Sequence, residues 1–120
     1  MISPILSLLV LRTAKLETTL AFYRALGMEF VQEQHGSGPI HYSCQTGGTV
    51  VEIYPGSDGT APPRQSGGAT MLGFRVASVD ATLAMLQQLG ADVVTAPKDS
   101  PWGRRAVVAD CDGRAIEITQ

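Results

Sequence analysis

The chain has 120 residues, enough for one domain, and its 44% hydrophobic and 17% charged residues are typical of a globular protein rather than a disordered one. Its formal charge of −2 at pH 7 gives no basic footprint for a nucleic-acid partner. The apolar run at residues 5–11 is too short to span a membrane and follows no basic segment, so it predicts a buried strand and a cytoplasmic protein.

The first half of the chain predicts the element order β-α-β-β-β. After a strand at residues 5–12, Leu16, Leu20 and Tyr23 form an apolar helical stripe that ends at Gly27. Strands are predicted at 28–33, 40–45 and 49–54. A turn at 35–39 separates the first two, and the Gly47-Gly48 pair forms a tight hairpin turn between the last two.

The second half repeats this order after a polar segment at about residues 56–68, which is rich in Pro, Gly and Ser and predicts a linker. A strand at 71–76 precedes a helix with its stripe at Val79, Leu83 and Leu86. Further strands are predicted at 91–95, 104–109 and 114–119, with a proline-rich loop after residue 95. The chain is therefore read as module one (about 3–55) and module two (about 69–120). Cys44 and Cys111 show no CxxC spacing and are predicted to be free thiols.

An internal repeat supports the two modules. At an offset of 63 residues, eight positions between 12 and 31 are identical, where chance gives roughly one or two. The pairs are Arg12/Arg75, Ala14/Ala77, Thr19/Thr82, Leu20/Leu83, Ala21/Ala84, Leu26/Leu89, Gly27/Gly90 and Val31/Val94. Two units that each bury one helix stripe need one another to complete a core.

Each module ends in a strand with a glutamate inside an apolar run, Glu52 before Ile53 and Glu117 before Ile118. A charge in the middle of a strand is costly unless its face opens on water, a ligand or a partner. The alternatives are a shared cleft or two ordinary exposed sheet faces. The hairpin turn predicts that Ser43 opposes Glu52 and that His41 opposes Tyr54, so these four side chains share one face.

The segment at residues 20–28, the Pro101-Trp102-Gly103-Arg104 run and the pattern Asp110-x-Asp112-Gly113-x-x-x-Glu117 resemble the vicinal oxygen chelate superfamily. Its members include glyoxalase I, extradiol dioxygenases, fosfomycin-resistance enzymes and bleomycin-resistance proteins. The resemblance covers the whole chain. It implies an α+β fold in which two tandem βαβββ modules form a U-shaped mixed sheet around a cleft. It also implies a homodimer, with modules paired within one chain or exchanged between two.

The resemblance further implies four metal-ligating positions, on the first and last strands of each module. The last-strand positions match Glu52 and Glu117, but the first-strand positions, where relatives carry histidine, are Leu8 and Met71. Two carboxylates alone do not complete the shell that zinc or iron uses in proteins. The prediction is therefore no resident metal or other cofactor, with a weak divalent ion at Glu52 and Glu117 as the remaining option.

Two functions fit this pattern. The first is a metal-free, bleomycin-resistance-like protein that sequesters a planar or partly apolar small molecule. The second is a glyoxalase-like lyase or isomerase that uses Glu52 or Glu117 as a base, with His41 as a further acid–base group. An extradiol dioxygenase is disfavoured because the histidines are missing. His35 lies at a predicted loop tip and is given no role. The predicted ligand-binding residues are Leu8, His41, Ser43, Glu52, Tyr54, Met71, Trp102 and Glu117.

Overall fold

The computed structural model describes residues 3–56 and 70–120, and these follow the predicted element order in both halves. The first half contains β1 (Leu8–Thr13), α1 (Leu16–Ala25), β2 (Val31–Glu33), β3 (His41–Thr46) and β4 (Thr49–Pro55). The second half contains β5 (Met71–Arg75), α2 (Val79–Gln88), β6 (Asp92–Ser100), β7 (Gly103–Ala109) and β8 (Ala115–Thr119). Apart from Gly56, the predicted linker lies outside the described residues.

The described strands form two four-stranded sheets with equivalent connections. Their strand orders are β1-β4-β3-β2 and β5-β8-β7-β6. In each sheet the first strand runs parallel to the last one of the module, and the other pairs are antiparallel. The result is an α+β fold of two βαβββ modules with mixed sheets. The first strand of each module, β1 or β5, lies at one edge of its sheet.

Each helix begins and ends for local reasons. The Ser78 side chain accepts a hydrogen bond from the backbone N–H of Ala81 at the start of α2, which satisfies one of the donors left free at a helix N-terminus. Glu17 and Asp80 lie in the first turns, where a negative charge favours the helix dipole. Gly27, just after α1, has a φ of 104°, a conformation that side chains other than hydrogen disfavour.

One hydrophobic core contains residues of both helices and both sheets. Leu20 and Tyr23 of α1, Leu86 of α2, Ile53 of β4 and Ile116 of β8 are among its almost fully buried members. Neither half encloses these side chains alone, which agrees with the expectation that the modules depend on one another. The described helices span 10 residues each and are too short and too polar to cross a bilayer.

The proline-rich loop predicted after Thr95 is wrong, because β6 continues to Ser100. Register irregularities between Val93 and Thr95 and between Thr95 and Lys98 interrupt its pairing with β7. Pro97 lies within the second irregularity, and β6 is an edge strand. A missing backbone N–H is tolerated at a bulge on an edge strand, so the proline does not end the strand.

Candidate functional site

The β3–β4 hairpin has the register that its two-glycine turn predicts. Ser43 lies opposite Glu52, and Cys44 lies opposite Val51. Cys44 and Val51 are buried in the core, and Ser43 and Glu52 face the other side of the sheet. A register slip of one residue would have exchanged the two faces. The outer face of this hairpin is therefore where the polar side chains collect.

His41 lies at the start of β3, on that outer face. Its ring stacks on the ring of Tyr54, with centroids 4.2 Å apart and planes inclined by 7°. Only 1% of the His41 side chain is exposed. The Arg12 guanidinium lies 5.8 Å from the centroid of the Tyr54 ring. Stacking and burial fix the plane of the imidazole, so its two nitrogens point in defined directions.

The two nitrogens of His41 have different surroundings. Nδ1 lies 3.2 Å from the carbonyl oxygen of Pro39. Because a carbonyl oxygen only accepts, Nδ1 carries the hydrogen of this bond. Nε2 lies 3.4 Å from Glu52 Oε2 and 3.5 Å from Glu33 Oε1. Both distances exceed the usual N–H···O range, and Nε2 has no hydrogen-bond partner within the described part of the chain.

Glu33 and His35 are site residues that sequence reasoning missed. Glu33 lies directly opposite His41 in the β2–β3 pairing. The His35 ring, assigned to a loop tip without a role, has its centroid 5.0 Å from that of His41. The donor atoms of Glu33, His35 and His41, here called the β2–β3 cluster, lie within 4.8 Å of one another. The sequence did indicate that the two strands flanking the 35–39 turn pair with each other. A loop of that length does not fix their register.

The second module places its predicted site residues in a different setting. Glu117 Oε1 accepts a hydrogen bond from Arg105 Nε at 2.7 Å. The carboxylate therefore has a positive partner that competes with any metal or substrate proton. Trp102 lies in the turn between β6 and β7 and is 83% exposed, so it is not a core tryptophan. Met71 lies on the edge strand β5.

The four positions at which the resemblance places a metal do not fit one. Leu8 offers no donor atom, Met71 offers only a soft thioether sulfur that suits Cu(I) rather than a divalent ion such as zinc or magnesium, and each side chain is 51% exposed. Glu117 is paired with Arg105, while Glu52 belongs to the other sheet. The geometry therefore gives no support to a divalent ion held by Glu52 and Glu117, and no step of a reaction is assigned to such an ion.

A groove of about 500 Å³ lies beside the hairpin, within the size range of small-molecule sites. Its walls are the segment that follows α1, the strands β2 and β3 and the strand β5, so both modules contribute. Ser43 is the predicted ligand-binding residue that lines it. Among the other lining residues are Leu26, Met28, Gln45, Phe74 and Arg75. Both apolar and polar side chains line the groove, which suits a ligand with both kinds of surface.

A buried polar network joins the modules. Asp110, whose side chain is fully buried, accepts hydrogen bonds from Tyr23 Oη at 2.7 Å and Arg114 Nη1 at 2.9 Å. Its Oδ1 also accepts from the backbone N–H groups of Asp112 and Arg114. Arg114 Nη2 donates to the carbonyl oxygen of Arg12 at 2.6 Å. Burial, the Asp110 charge and the hydrogen bond to it raise the pKa of Tyr23 well above its ordinary value. These groups hold module two against α1 and β1.

The duplicated βαβββ module, with a glutamate on the last strand of each copy, defines the class of protein. The sequence profile of the Glyoxalase/Bleomycin resistance protein/Dioxygenase superfamily matches residues 5–118, and the chain belongs to this superfamily. An uncharacterized protein from Mycolicibacterium smegmatis (strain ATCC 700084 / mc(2)155) is 28% identical over 110 residues, which cover 91% of this chain and 87% of that protein.

Two solved structures resemble the chain over almost their full lengths. TnmS3, an antibiotic binding protein from Streptomyces sp. CB03234, is 27% identical, with a TM-score of 0.71 and coverage of 100% of this chain and 98% of that one. A glyoxalase/bleomycin resistance protein from the same Streptomyces strain is also 27% identical, with a TM-score of 0.68 and coverage of 97% and 100%. Relatives of this fold therefore include small-molecule binders.

Proposed function

We propose that the protein binds a planar or partly apolar small molecule and sequesters it, in the cytoplasm, without a metal at the superfamily's four positions. The observation that carries this proposal is the replacement of two ligand positions by Leu8 and Met71, each half exposed. Exposed apolar side chains at these places present surface to a ligand rather than donors to an ion. Ser43, Glu52 and Tyr54 supply polar anchors nearby, as small-molecule sites require. The likeness to an antibiotic binding protein supports the same reading.

We further propose that the working form is a homodimer. The edge strands β1 and β5 each have one neighbouring strand within the described residues, and Leu8 and Met71 lie on them. An edge strand with exposed apolar side chains is a surface on which another chain can pair. Setting β1 of one copy beside β5 of another would join the two sheets into a U-shaped wall. The apolar residues would then line the cleft between the copies.

A lyase or isomerase is the second candidate, and the pair of Glu52 and His41 favours it. Their side chains are 3.4 Å apart, and Glu52 is only 17% exposed. A carboxylate shielded from water beside an imidazole is a usable base for a carbon next to a carbonyl. Glu117 suits that role less, because Arg105 already neutralises it. Exchange of such carbon-bound hydrogen for deuterium, followed by NMR, would distinguish this activity from simple binding.

Binding is tested with the fluorescence of Trp102, the sole tryptophan of the chain. The protein is titrated with fused-ring aromatic compounds such as quinolines, in the presence of EDTA. We expect saturable quenching by at least one compound and a rise in melting temperature, since a ligand at 100 times its Kd stabilises the folded state by about 2.7 kcal/mol. No quenching by any compound in EDTA, with binding restored by a divalent ion in the wild type but not in Glu117→Gln, would refute the metal-free part of the proposal.

The matched variants are Leu8→Asp and Met85→Asp. Both parent side chains are 51% exposed, but Met85 lies on α2, away from the proposed cleft. A charge at position 8 should weaken binding at least tenfold, because it replaces apolar contact with a carboxylate that must be desolvated. Equal affinities for the two variants would show that the ligand binds elsewhere.

A further inference from the structure

We infer that the β2–β3 cluster of Glu33, His35 and His41 binds a divalent transition metal of the zinc type. This site differs from the four metal positions of the superfamily and lies on the open side of the first sheet. It does not depend on the proposed small-molecule binding. The Nε2 atom of His41 is buried and has no hydrogen-bond partner within the described residues.

The protonation of the ring makes this atom unusual. Nδ1 donates to the Pro39 carbonyl, so the neutral imidazole presents a lone pair on Nε2. That lone pair faces two carboxylate oxygens, Glu33 Oε1 at 3.5 Å and Glu52 Oε2 at 3.4 Å. The buried lone pair of His41 and the two carboxylate oxygens, one of them from the partly exposed Glu33, repel one another unless a cation lies between them. The cation is either a second proton on the ring or a metal ion.

The distances favour a metal ion. A protonated Nε2 would draw a carboxylate to about 2.7–2.9 Å, the usual length of a charge-assisted hydrogen bond. Zinc bonds to nitrogen and oxygen of about 2.0–2.2 Å place two ligands of a tetrahedral shell about 3.3–3.6 Å apart. The Glu33–His41 separation of 3.5 Å matches that spacing. The ring is therefore too far away for a hydrogen bond and correctly placed to share an ion.

The remaining features are those of a metal-binding histidine. A ligating imidazole typically donates its other N–H to a backbone carbonyl or carboxylate, which fixes the tautomer, and Pro39 supplies that acceptor here. Stacking on Tyr54 fixes the ring plane. The ligand atom of His35 lies within 4.8 Å of those of Glu33 and His41, and because His35 is exposed its ring has room to move onto the ion. Two imidazoles and a carboxylate are a donor set that zinc prefers over magnesium or calcium.

Binding would tie the loop that follows β2 to the hairpin. Glu33 ends β2, His35 lies in that loop and His41 begins β3, so one ion would connect all three segments. Three protein ligands leave a fourth tetrahedral position for water. Glu52 lies against the same nitrogen and would accept a hydrogen bond from that water. The charge of the ion would also neutralise the two carboxylates that now face the histidine.

The experiment uses untagged, chelator-treated protein and Zn²⁺ itself as the probe. Isothermal titration and elemental analysis after equilibrium dialysis give the affinity and stoichiometry. We expect one Zn²⁺ per chain, and no saturable binding of Mg²⁺ under the same conditions. His35→Ala and Glu33→Gln should each lower the affinity at least tenfold. Both parent side chains are partly or fully exposed, so neither change endangers folding.

Two control variants separate this site from the alternatives. Glu117→Gln removes a carboxylate of the superfamily's metal positions, and Cys111→Ser removes the partly exposed thiol. Both should leave zinc affinity unchanged. Long-range proton–nitrogen NMR should show a zinc-dependent shift of His41 Nε2 with Nδ1 still protonated. The inference is overturned if wild-type protein takes up no zinc, if His35→Ala binds zinc as the wild type does, if Glu117→Gln abolishes binding, or if zinc leaves the His41 Nε2 signal unchanged.

Discussion

Replacing Asp110 by asparagine should destabilise the protein more than any other isosteric change in the network that joins the modules. The Asp110 side chain is fully buried and accepts four hydrogen bonds, two from side chains and two from backbone N–H groups. Asparagine keeps the oxygen that accepts from the backbone. It replaces the other oxygen with an NH₂ group that faces the Arg114 guanidinium, a donor, at 2.9 Å.

The magnitude follows from what is lost. Removing one partner of a buried ion pair costs about 3–5 kcal/mol, because the other charge stays buried without compensation. Arg114 is only 19% exposed, and its contact with Asp112 is long, at 3.3 Å. The loss for Asp110→Asn should therefore be about 3–4 kcal/mol. That is a large part of the 5–15 kcal/mol by which domains are typically stable.

Urea unfolding followed by circular dichroism at neutral pH measures this loss as a change in midpoint at constant slope. Asp112→Asn is the matched control, since Asp112 is 20% exposed and contacts Arg114 only at 3.3 Å. The control should lose less than about 1 kcal/mol. A loss below about 1 kcal/mol for Asp110→Asn, or equal losses for the two variants, would refute the view that this buried pair holds the modules together.

Three further changes test other parts of the structure. Because the pKa of Tyr23 is raised in the folded protein, the unfolded chain releases this proton at a lower pH than the folded one. The contribution of Tyr23 to stability is therefore complete below about pH 10, and the free energy of unfolding falls above that pH by up to about 1.4 kcal/mol per pH unit. Tyr23→Phe should lack this fall in alkaline unfolding, and an unchanged pH profile would contradict the raised pKa. Light scattering coupled to size exclusion should show Met71→Glu as a monomer and Met85→Glu as a dimer, although both parent side chains are 51% exposed. If both variants are dimers, the β5 edge is not part of the dimer interface. Gly103→Ala should cost about 2 kcal/mol or more in thermal unfolding, because Gly103 has a φ of 108° and a new Cβ would lie 2.7 Å from the Gln120 carbonyl oxygen. Gly48→Ala, whose new Cβ would lie 4.0 Å from Ile5 Cγ2, an ordinary van der Waals distance, should cost less than about 1 kcal/mol. Similar losses at both positions would show that the close approach at Gly103 does not matter.

The fold was largely accessible from sequence because its determinants are local or periodic. The 63-residue repeat revealed two equivalent modules, and the apolar stripes placed both helices. The Gly47-Gly48 turn set the register of β3 and β4, since a two-residue hairpin leaves one pairing that buries the apolar face. The failure at β6 was also local in origin. A proline ends a strand only where the sheet needs a backbone N–H at that position, and β6 is an edge strand on which Pro97 is not required to donate one.

The candidate site depended on contacts that no local rule specifies. His41 and Glu52 were placed together by the hairpin, but Glu33 and His35 join them only through the β2–β3 pairing, whose register a longer loop leaves free. Tyr23 and Asp110 are 87 positions apart, and only the packing of one module on the other brings the hydroxyl to the carboxylate. The sequence by itself thus determined the two modules, the faces of their strands and the presence of Leu8 and Met71 where relatives carry histidine. The tertiary structure decided which charged groups meet, because those meetings depend on how the two modules pack and not on any periodic pattern.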